Sequence, residues 1–202
     1  MKLHYSPTSP YVRKVMIVAL ETGQAGKLEK ATANMADAAA PYAKDNPLAK
    51  VPALIGDEGL ALFDSPVVCE YLDAQHGGAK LFPAPGPARW RALRYQALAD
   101  GLLDAALLRR YESQRPQQLQ SQEWVDKQKL KMTRALDTLE AEAAQLDGPL
   151  TIGTITVGCA LGYLDLRFAA ERWRQGRPKL AAWYEKLAQR PSFLETVPRD
   201  PA

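Results

Sequence analysis

The sequence predicts an α/β front half joined to an all-helical back half. Strand-like and helix-like segments alternate over residues 1–78 in the order β-α-β-loop-β-β-α. Residues 79–86 are rich in proline and form the predicted linker. Long segments with helical hydrophobic spacing follow over 87–202. We therefore expect two domains, 1–78 and 87–202.

The first three elements of the front half follow from short patterns. Residues 2–5 are predicted to form a strand that ends at Ser6-Pro7. A helix is predicted over 10–22, because apolar residues recur on one face, at Val12, Val15, Met16, Ala19 and Leu20. Residues 28–32 form a second strand, and 33–49 form a loop with room for one helical turn.

A hairpin and a helix complete the front half. The apolar runs 51–55 and 60–63 are separated by a Gly/Asp turn, which is typical of a β-hairpin. Asp64-Ser65-Pro66 then offers an N-cap and a proline suited to the start of a helix. That helix is predicted to run to about His76.

Four helices and a short terminal stub are predicted for the back half. They are expected over 87–112, 121–146, 151–174 and between Pro178 and Pro191. The third is almost entirely apolar through Leu166, so we expect it to be the buried centre of this half. Gly158 and Gly162, four residues apart, would let another helix approach it closely.

Composition excludes several classes of protein. No apolar run approaches ~18 residues, so no membrane span is predicted. The N-terminus becomes polar within six residues, unlike a signal peptide, which indicates the cytoplasm. Cys69 and Cys159 lack a CxxC or metal-ligand spacing, so buried reduced thiols are expected, with neither a disulfide nor a metal. The net charge of +3 is too small to indicate nucleic-acid binding.

The turn Ser6-Pro7-Thr8-Ser9-Pro10 is the first candidate for chemistry. A helix N-terminus presents unpaired N–H groups and a positive dipole, and a hydroxyl there can donate to a thiolate. Both effects lower the pKa of a bound thiol below its usual value of about 8.5. Alternatively, Ser9 merely caps the helix.

Two further segments offer polar groups at turns. Residues 46–54, NPLAKVPAL, contain a proline at the start of a strand, where a cis bond would present the preceding residue's backbone to a ligand. Asp64 and Ser65 put a carboxylate and a hydroxyl at another helix N-terminus, suited to the charged ends of an amino acid. Each segment alone is typical of a helix cap or a turn.

Together these stretches resemble the bacterial glutathione transferases over nearly the whole chain. The matching segments are YSPTSPYVRKV, NPLAKVPAL, LFDSPVVCEYLD and PLTIGTITVGCALGYLDLRF. The resemblance implies a thioredoxin-like domain that binds glutathione, joined to an all-helical domain that supplies the pocket for a second substrate. It also implies a homodimer and a role in detoxification.

The resemblance implies roles for individual residues. Ser9 matches the serine that donates to the glutathione sulfur in serine-type members, and Tyr5 is the alternative, since tyrosine-type members use a tyrosine near this strand. The predicted glutathione-binding residues are Ser9, Asn34, Lys50, Val51, Asp64 and Ser65. The second substrate is predicted to contact Tyr11, Leu108, Arg109 and Tyr111.

One departure from the family pattern concerns the central helix of the back half. Many relatives begin it with S/T-x-x-D, whereas this chain has Thr151 and Thr154 at the two capping positions. Loss of the carboxylate is expected to cost about 1 kcal/mol of local stability.

The predicted function is transfer of glutathione, bound as the thiolate, to a small electrophile, or reduction with it. The alternative is a non-catalytic carrier or regulator of the same fold. A thiol reductase is disfavoured because the turn has no cysteine, unless Cys69 or Cys159 is exposed. Glutathione is thus the expected co-substrate, and no nucleic acid, membrane or metal is expected to bind.

Overall fold

The structure, a computed structural model, describes residues 1–34 and 41–200. The chain forms two compact units: the first contains the described residues of Met1–Ala84 together with the chain from Pro191 onward, and the second is Pro85–Arg190. The first unit holds a small mixed sheet and the second is helical, which confirms the predicted fold class. No helix in the described part of the chain is both long and apolar enough to cross a membrane.

The sheet of the first unit has four strands in the order β2-β1-β3-β4. Strand β1 pairs in parallel with β2 and antiparallel with β3, while β3 and β4 form the predicted hairpin. The strands are β1 Lys2–Tyr5, β2 Glu29–Thr32, β3 Ala53–Ile55 and β4 Ala61–Leu62. Part of the predicted loop, residues 35–40, lies outside the described residues; a 3₁₀ turn follows at Pro41–Lys44.

Two helices flank the strands in sequence. Helix α1, Pro10–Glu21, begins after Ser9 and ends before Gly23, whose φ of 69° is the left-handed conformation that glycine tolerates best. Helix α2, Ser65–Ala74, ends two residues before the predicted His76. The Asp73 carboxylate accepts hydrogen bonds from the N–H groups of Leu81 (2.8 Å) and Phe82 (3.1 Å), so the chain turns back at this point.

The C-terminal segment belongs to the first unit, whereas the sequence placed it with the all-helical domain at 87–202. Its short helix α8, Pro191–Glu195, contacts α1. Arg13, which is 6% exposed, donates through Nη2 to the Phe193 carbonyl at 3.2 Å. Ser192 Oγ donates to Glu21 Oε1 at 2.5 Å. These contacts join residues far apart in the chain and leave no local pattern.

The helical unit contains α3 to α7, with α6 buried along most of its length as predicted. The helices are α3 Pro87–Ser113, α4 Gln122–Ala141, α5 Ala143–Leu146, α6 Ile152–Arg167 and α7 Pro178–Ala188. Gly153 of α6 lies close against α3, because a Cβ at this position would stand 2.5 Å from the Ala92 carbonyl oxygen.

Two predicted helices are shorter than the periodicity suggested. The helix over 121–146 is interrupted at Glu142, whose carboxylate pairs with Arg94. The third helix ends at Arg167 instead of near 174. Beyond it, Trp173 Nε1 donates to Asp165 Oδ1 at 2.7 Å, which turns the chain back onto its own helix.

The start of α6 has a complete capping box made of two threonines. Thr154 N–H donates to Thr151 Oγ1 at 3.3 Å, and Thr151 N–H donates to Thr154 Oγ1 at 2.9 Å. The Thr154 hydroxyl therefore accepts the bond that a carboxylate accepts in the usual box. The hydroxyl thus replaces the carboxylate as predicted and still completes the box, and the stability cost of about 1 kcal/mol stays a prediction.

Candidate functional site

The polar segments singled out in the sequence meet at one end of the sheet. The antiparallel pairing of His4 with Ala53, and of Leu54 with Leu62, puts the end of β1 and the end of β4 beside the start of β3. Because β2 is parallel to β1, it finishes at the same end. We call this the site end of the sheet. Ser6–Ser9, Asn34, Lys50-Val51 and Asp64-Ser65 immediately adjoin it.

Ser9 combines the two roles that the sequence left open. Its Oγ caps α1 by accepting a hydrogen bond from Val12 N–H at 3.3 Å. The serine is half-buried, and its hydroxyl hydrogen is not used in this bond. A hydroxyl donor and the positive end of the α1 dipole thus occupy the same point, which suits an anion.

Val51 presents its backbone at the start of β3. The Val51–Pro52 peptide bond is cis, and so is Phe63–Asp64 at the end of β4. Within the described ranges, neither the N–H nor the C=O of Val51 has a hydrogen-bond partner, although the residue is only 8% exposed. Buried backbone groups are nearly always paired, so these two are suited to a bound ligand.

The loop before Val51 is held by a residue that the sequence analysis missed. Asn46 is 1% exposed; its Nδ2 donates to the Lys50 carbonyl at 2.8 Å, and its Oδ1 accepts from Leu48 N–H at 3.1 Å. The signal was an asparagine directly before proline, a turn-forming pair. Asn46 therefore fixes the approach to Val51 from both ends of the loop.

Asp64 and Ser65 begin α2 without capping it through their side chains. Asp64 occupies the N-cap position with an exposed carboxylate that makes no cap hydrogen bond. Ser65 is 1% exposed, and its hydroxyl forms no hydrogen bond with any residue that the structure describes. A carboxylate and a hydroxyl thus stand next to the unpaired N–H groups of the helix start.

The remaining predicted residues of the first unit differ in burial. Lys50 and Asn34 are exposed at the site end. Tyr5 is half-buried in β1, and burial raises the pKa of its phenol. Lys30 Nζ lies 5.5 Å from the centre of the Tyr5 ring, which gives this tyrosine a packing role in the strand. Tyr11 lies in the first turn of α1.

The residues of the helical unit that are predicted to contact the second substrate differ in exposure and in pairing. Leu108 and Tyr111 are exposed on α3. Arg109 is committed to internal contacts, because its guanidinium donates to both carboxylate oxygens of Glu171 (2.6 and 3.2 Å) and lies 4.9 Å from the centre of the Phe168 ring. The described residues contain no cluster of His, Cys, Asp or Glu suited to a metal.

Comparison with known proteins decides the family. Residues 3–80 match "Glutathione S-transferase, N-terminal domain" and residues 122–186 match "Glutathione S-transferase, C-terminal domain". The chain is 38% identical to the uncharacterized GST-like protein YibF of Escherichia coli K12, over 98% of each chain. The chain belongs to the glutathione S-transferase family.

Two crystal structures of glutathione transferase family members from Pseudomonas fluorescens Pf-5 are similar to it. One contains bound glutathione; the identity is 48%, the TM-score 0.95 and the coverage 98% of each chain. The other contains bound S-(propanoic acid)-glutathione; the identity is 47%, the TM-score 0.91 and the coverage 98% of this chain and 100% of the other. Both of these glutathione transferase family members thus contain glutathione or a thioether of it.

Proposed function

We propose that the protein binds glutathione at the site end as its thiolate and transfers it to a small electrophile. The observation that carries the proposal is the set of polar groups at the site end without partners in the described chain: the Val51 backbone, the Ser65 hydroxyl and the Asp64 carboxylate. Glutathione bound to a relative of 48% identity supports it.

Each group suits one part of the tripeptide. The N–H and C=O of Val51 pair with the backbone of the cysteinyl residue, as one strand pairs with another. Asp64 accepts from the γ-glutamyl ammonium, while Ser65 and the N–H groups at the start of α2 donate to its carboxylate. Lys50 and Asn34 reach the glycyl carboxylate. The sulfur then faces Ser9.

The chemistry assigned to Ser9 is stabilisation of the thiolate. Its hydroxyl donates a hydrogen bond to sulfur, and the α1 dipole favours the negative charge, so the pKa of the thiol falls from about 8.5 towards neutrality. The thiol proton leaves to solvent, the sulfur lone pair forms the S–C bond, and the electrophile's leaving group or π bond takes up the displaced electron pair. Tyr11, Leu108, Arg109 and Tyr111 stay our prediction for selecting that electrophile.

We also propose that the protein forms a homodimer, is located in the cytoplasm and serves in detoxification. A thiol reductase is disfavoured, since Cys69 and Cys159 are both fully buried. A non-catalytic carrier differs from the transferase only in turnover, so a conjugation assay with a panel of electrophiles on the wild type, run beside the binding test below, separates them.

The test is calorimetry with glutathione on the wild type and on Ser9→Ala, together with the ultraviolet thiolate band of the bound ligand. We expect Ser9→Ala to bind glutathione while the thiolate band is lost at neutral pH. Ser121→Ala is the matched control, because Ser121 caps α4 through the same 3.3 Å bond to a backbone N–H. Each variant should lose about 1 kcal/mol of stability through its cap, but only Ser9→Ala should lose the thiolate.

The outcomes are distinct. A wild type that does not bind glutathione overturns the proposal. Binding with a thiolate but no turnover of any electrophile supports the carrier in its place. A thiolate band that survives in Ser9→Ala removes the role of Ser9 and points to Tyr5.

A further inference from the structure

A buried histidine of β1 is hydrogen-bonded to the loop that precedes β3. His4 is 6% exposed, and its Nε2 lies 2.7 Å from Asp45 Oδ2. The ring of Tyr42, which is 4% exposed, packs against the imidazole with 5.8 Å between the ring centres. A carboxylate oxygen accepts from the Nε2–H of an imidazole whether or not the ring is charged. The side chain of His4 therefore joins the strand to the loop.

His4 holds the chain on both sides of Val51. Its side chain binds Asp45, which precedes Val51, and its backbone lies opposite Ala53, which follows Val51, in the antiparallel pairing of β1 with β3. Strand β1 is an inner strand, with β2 on one side and β3 on the other. The position of Val51 relative to the sheet is thus fixed from both directions by one residue.

The loop between these two attachments has a conformation that needs support. Ala49 has a φ of 50°, the left-handed region that a residue with a Cβ rarely adopts. Its N–H donates to the Asn46 carbonyl at 2.8 Å, and the Asn46 side chain binds Leu48 and Lys50. Such a conformation persists only where neighbouring contacts enforce it. Because Asp45 directly precedes Asn46, holding Asp45 also holds the start of this turn.

We propose that His4 is a positioning residue for glutathione, acting through its hydrogen bond with Asp45. The inference rests on the proposed function, in which the N–H and C=O of Val51 pair with the cysteinyl backbone. The bond keeps the loop in the conformation that presents these two groups. Without it the loop populates other conformations, and the apparent affinity falls by the fraction of molecules that are no longer competent to bind.

Four variants separate the hydrogen bond from the rest of the histidine. The two deletion variants are His4→Phe, which keeps an aromatic ring against Tyr42 but removes the donor, and Asp45→Ala, which removes the acceptor. The rescue variant, His4→Gln, restores an N–H donor without the ring. The control variant is His76→Phe, because His76 Nε2 lies 3.1 Å from Asp73 Oδ1 in the same unit but outside the loop.

The first experiment examines the loop without glutathione. Amide hydrogen exchange is followed by NMR at Leu48 and Ala49, whose N–H groups both donate to Asn46. We expect both amides to exchange about tenfold faster in the two deletion variants, because the loop opens locally more often. The rescue and control variants should exchange at rates close to that of the wild type. Unchanged exchange rates in both deletion variants overturn the inference.

The second experiment measures affinity by calorimetry with glutathione and with γ-glutamylcysteine, which lacks the glycyl residue. We expect the deletion variants to bind both ligands about tenfold more weakly, since both contain the cysteinyl backbone that Val51 pairs with. The rescue variant should bind within about threefold of the wild type. Combining His4→Phe with Asp45→Ala should weaken binding no further than either substitution alone, because both remove the same bond.

Unfolding free energies, measured by urea denaturation, distinguish positioning from a general loss of stability. His4→Phe and His76→Phe each remove a hydrogen bond and should each be less stable than the wild type, but only His4→Phe should lose affinity. A loss of affinity in His76→Phe equal to that in His4→Phe overturns the inference.

Two further outcomes are distinct. If affinity falls for glutathione but not for γ-glutamylcysteine, the bond acts through Lys50 and the glycyl carboxylate, and the link to Val51 is wrong. A wild type that binds neither ligand overturns the proposed function alone, and the exchange rates then decide whether His4 fixes the loop.

Discussion

The site end of the sheet and the helical unit differ in how their charged and polar groups are paired. At the site end, the Val51 backbone and the Ser65 hydroxyl are buried without partners in the described chain. In the helical unit, the guanidinium of Arg109 is held by the Glu171 carboxylate and the Phe168 ring, although buried nitrogens of Arg109, Gln96 and Gln128 have no partner in the described chain. Since an unpaired buried polar group reduces stability, the first arrangement is explained by a ligand and the second by the fold itself.

The largest expected effect concerns packing in the helical unit. In Gly153→Ala the new Cβ would stand 2.5 Å from the Ala92 carbonyl oxygen and 2.9 Å from Tyr95 Cβ. We expect the variant to lose about 3 kcal/mol of unfolding free energy, measured by urea denaturation. Gly101→Ala on α3 meets no atom within 4 Å and should instead gain about 0.5–1 kcal/mol. Equal changes in unfolding free energy for the two substitutions would show that helix propensity, and not the close approach to Ala92, determines the effect at Gly153.

The next effect separates binding from stability within the first unit. Ser65 and Ser192 are both buried serines, but only Ser192 donates to a carboxylate, that of Glu21. We expect Ser65→Ala to weaken glutathione binding about tenfold or more while unfolding free energy stays within about 0.5 kcal/mol. Ser192→Ala should do the reverse and lose about 1.5 kcal/mol or more of stability, with glutathione affinity retained. Calorimetry and denaturation on both variants test this; a stability loss in Ser65→Ala equal to that in Ser192→Ala would contradict it.

What the sequence could predict differs between the two regions for a physical reason. The site end is built from turns and helix starts, whose residue types act locally, so the roles of Ser9, Val51 and Ser65 were proposed from short motifs. The end of α6 at Arg167 depends on Asp165 meeting Trp173, and the docking of α8 depends on Arg13 meeting Phe193.

The same distinction applies to the ion pairs between elements of the helical unit. Arg109 and Glu171 are 62 residues apart in the chain, and neither lies in a local pattern that predicts the pair. Hydrophobic periodicity identifies which face of a helix is buried, but not which polar residue of a second helix will meet it. Pairings across helices are therefore the part of the structure that a single sequence does not predict.

The cap of α6 is expected to have a smaller effect on the unfolding free energy. Thr154→Val keeps the shape of the side chain but removes the oxygen that accepts from Thr151 N–H at 2.9 Å. We expect a loss of about 1 kcal/mol in unfolding free energy, measured by thermal denaturation. Thr154→Asp supplies the acceptor again and should stay close to the wild type. If Thr154→Val is as stable as wild type, the hydroxyl box is not a functioning cap.

The smallest effect depends on pH and involves Glu142, at the break between α4 and α5. Its hydrogen bonds with Arg94, one of them 3.2 Å long, lower the pKa of the carboxyl below its ordinary value of 4.5. The folded state therefore holds this group ionised at lower pH than the unfolded chain does. The resulting stabilisation is fully present above pH 4.5 and is lost as the pH falls through the folded-state pKa.

Glu142→Gln measures that contribution directly. The variant should be less stable than wild type at pH 7, by less than about 1 kcal/mol because Arg94 is half exposed. The difference should shrink as the pH falls below 4.5, since the wild-type carboxyl then takes up its proton. Glu123→Gln, which breaks the fully exposed pair with Lys127, should change the unfolding free energy by less than about 0.5 kcal/mol at pH 7. A pH-independent gap for Glu142→Gln would mean that the carboxamide disturbs the α4–α5 break sterically and that the ion pair does not stabilise it.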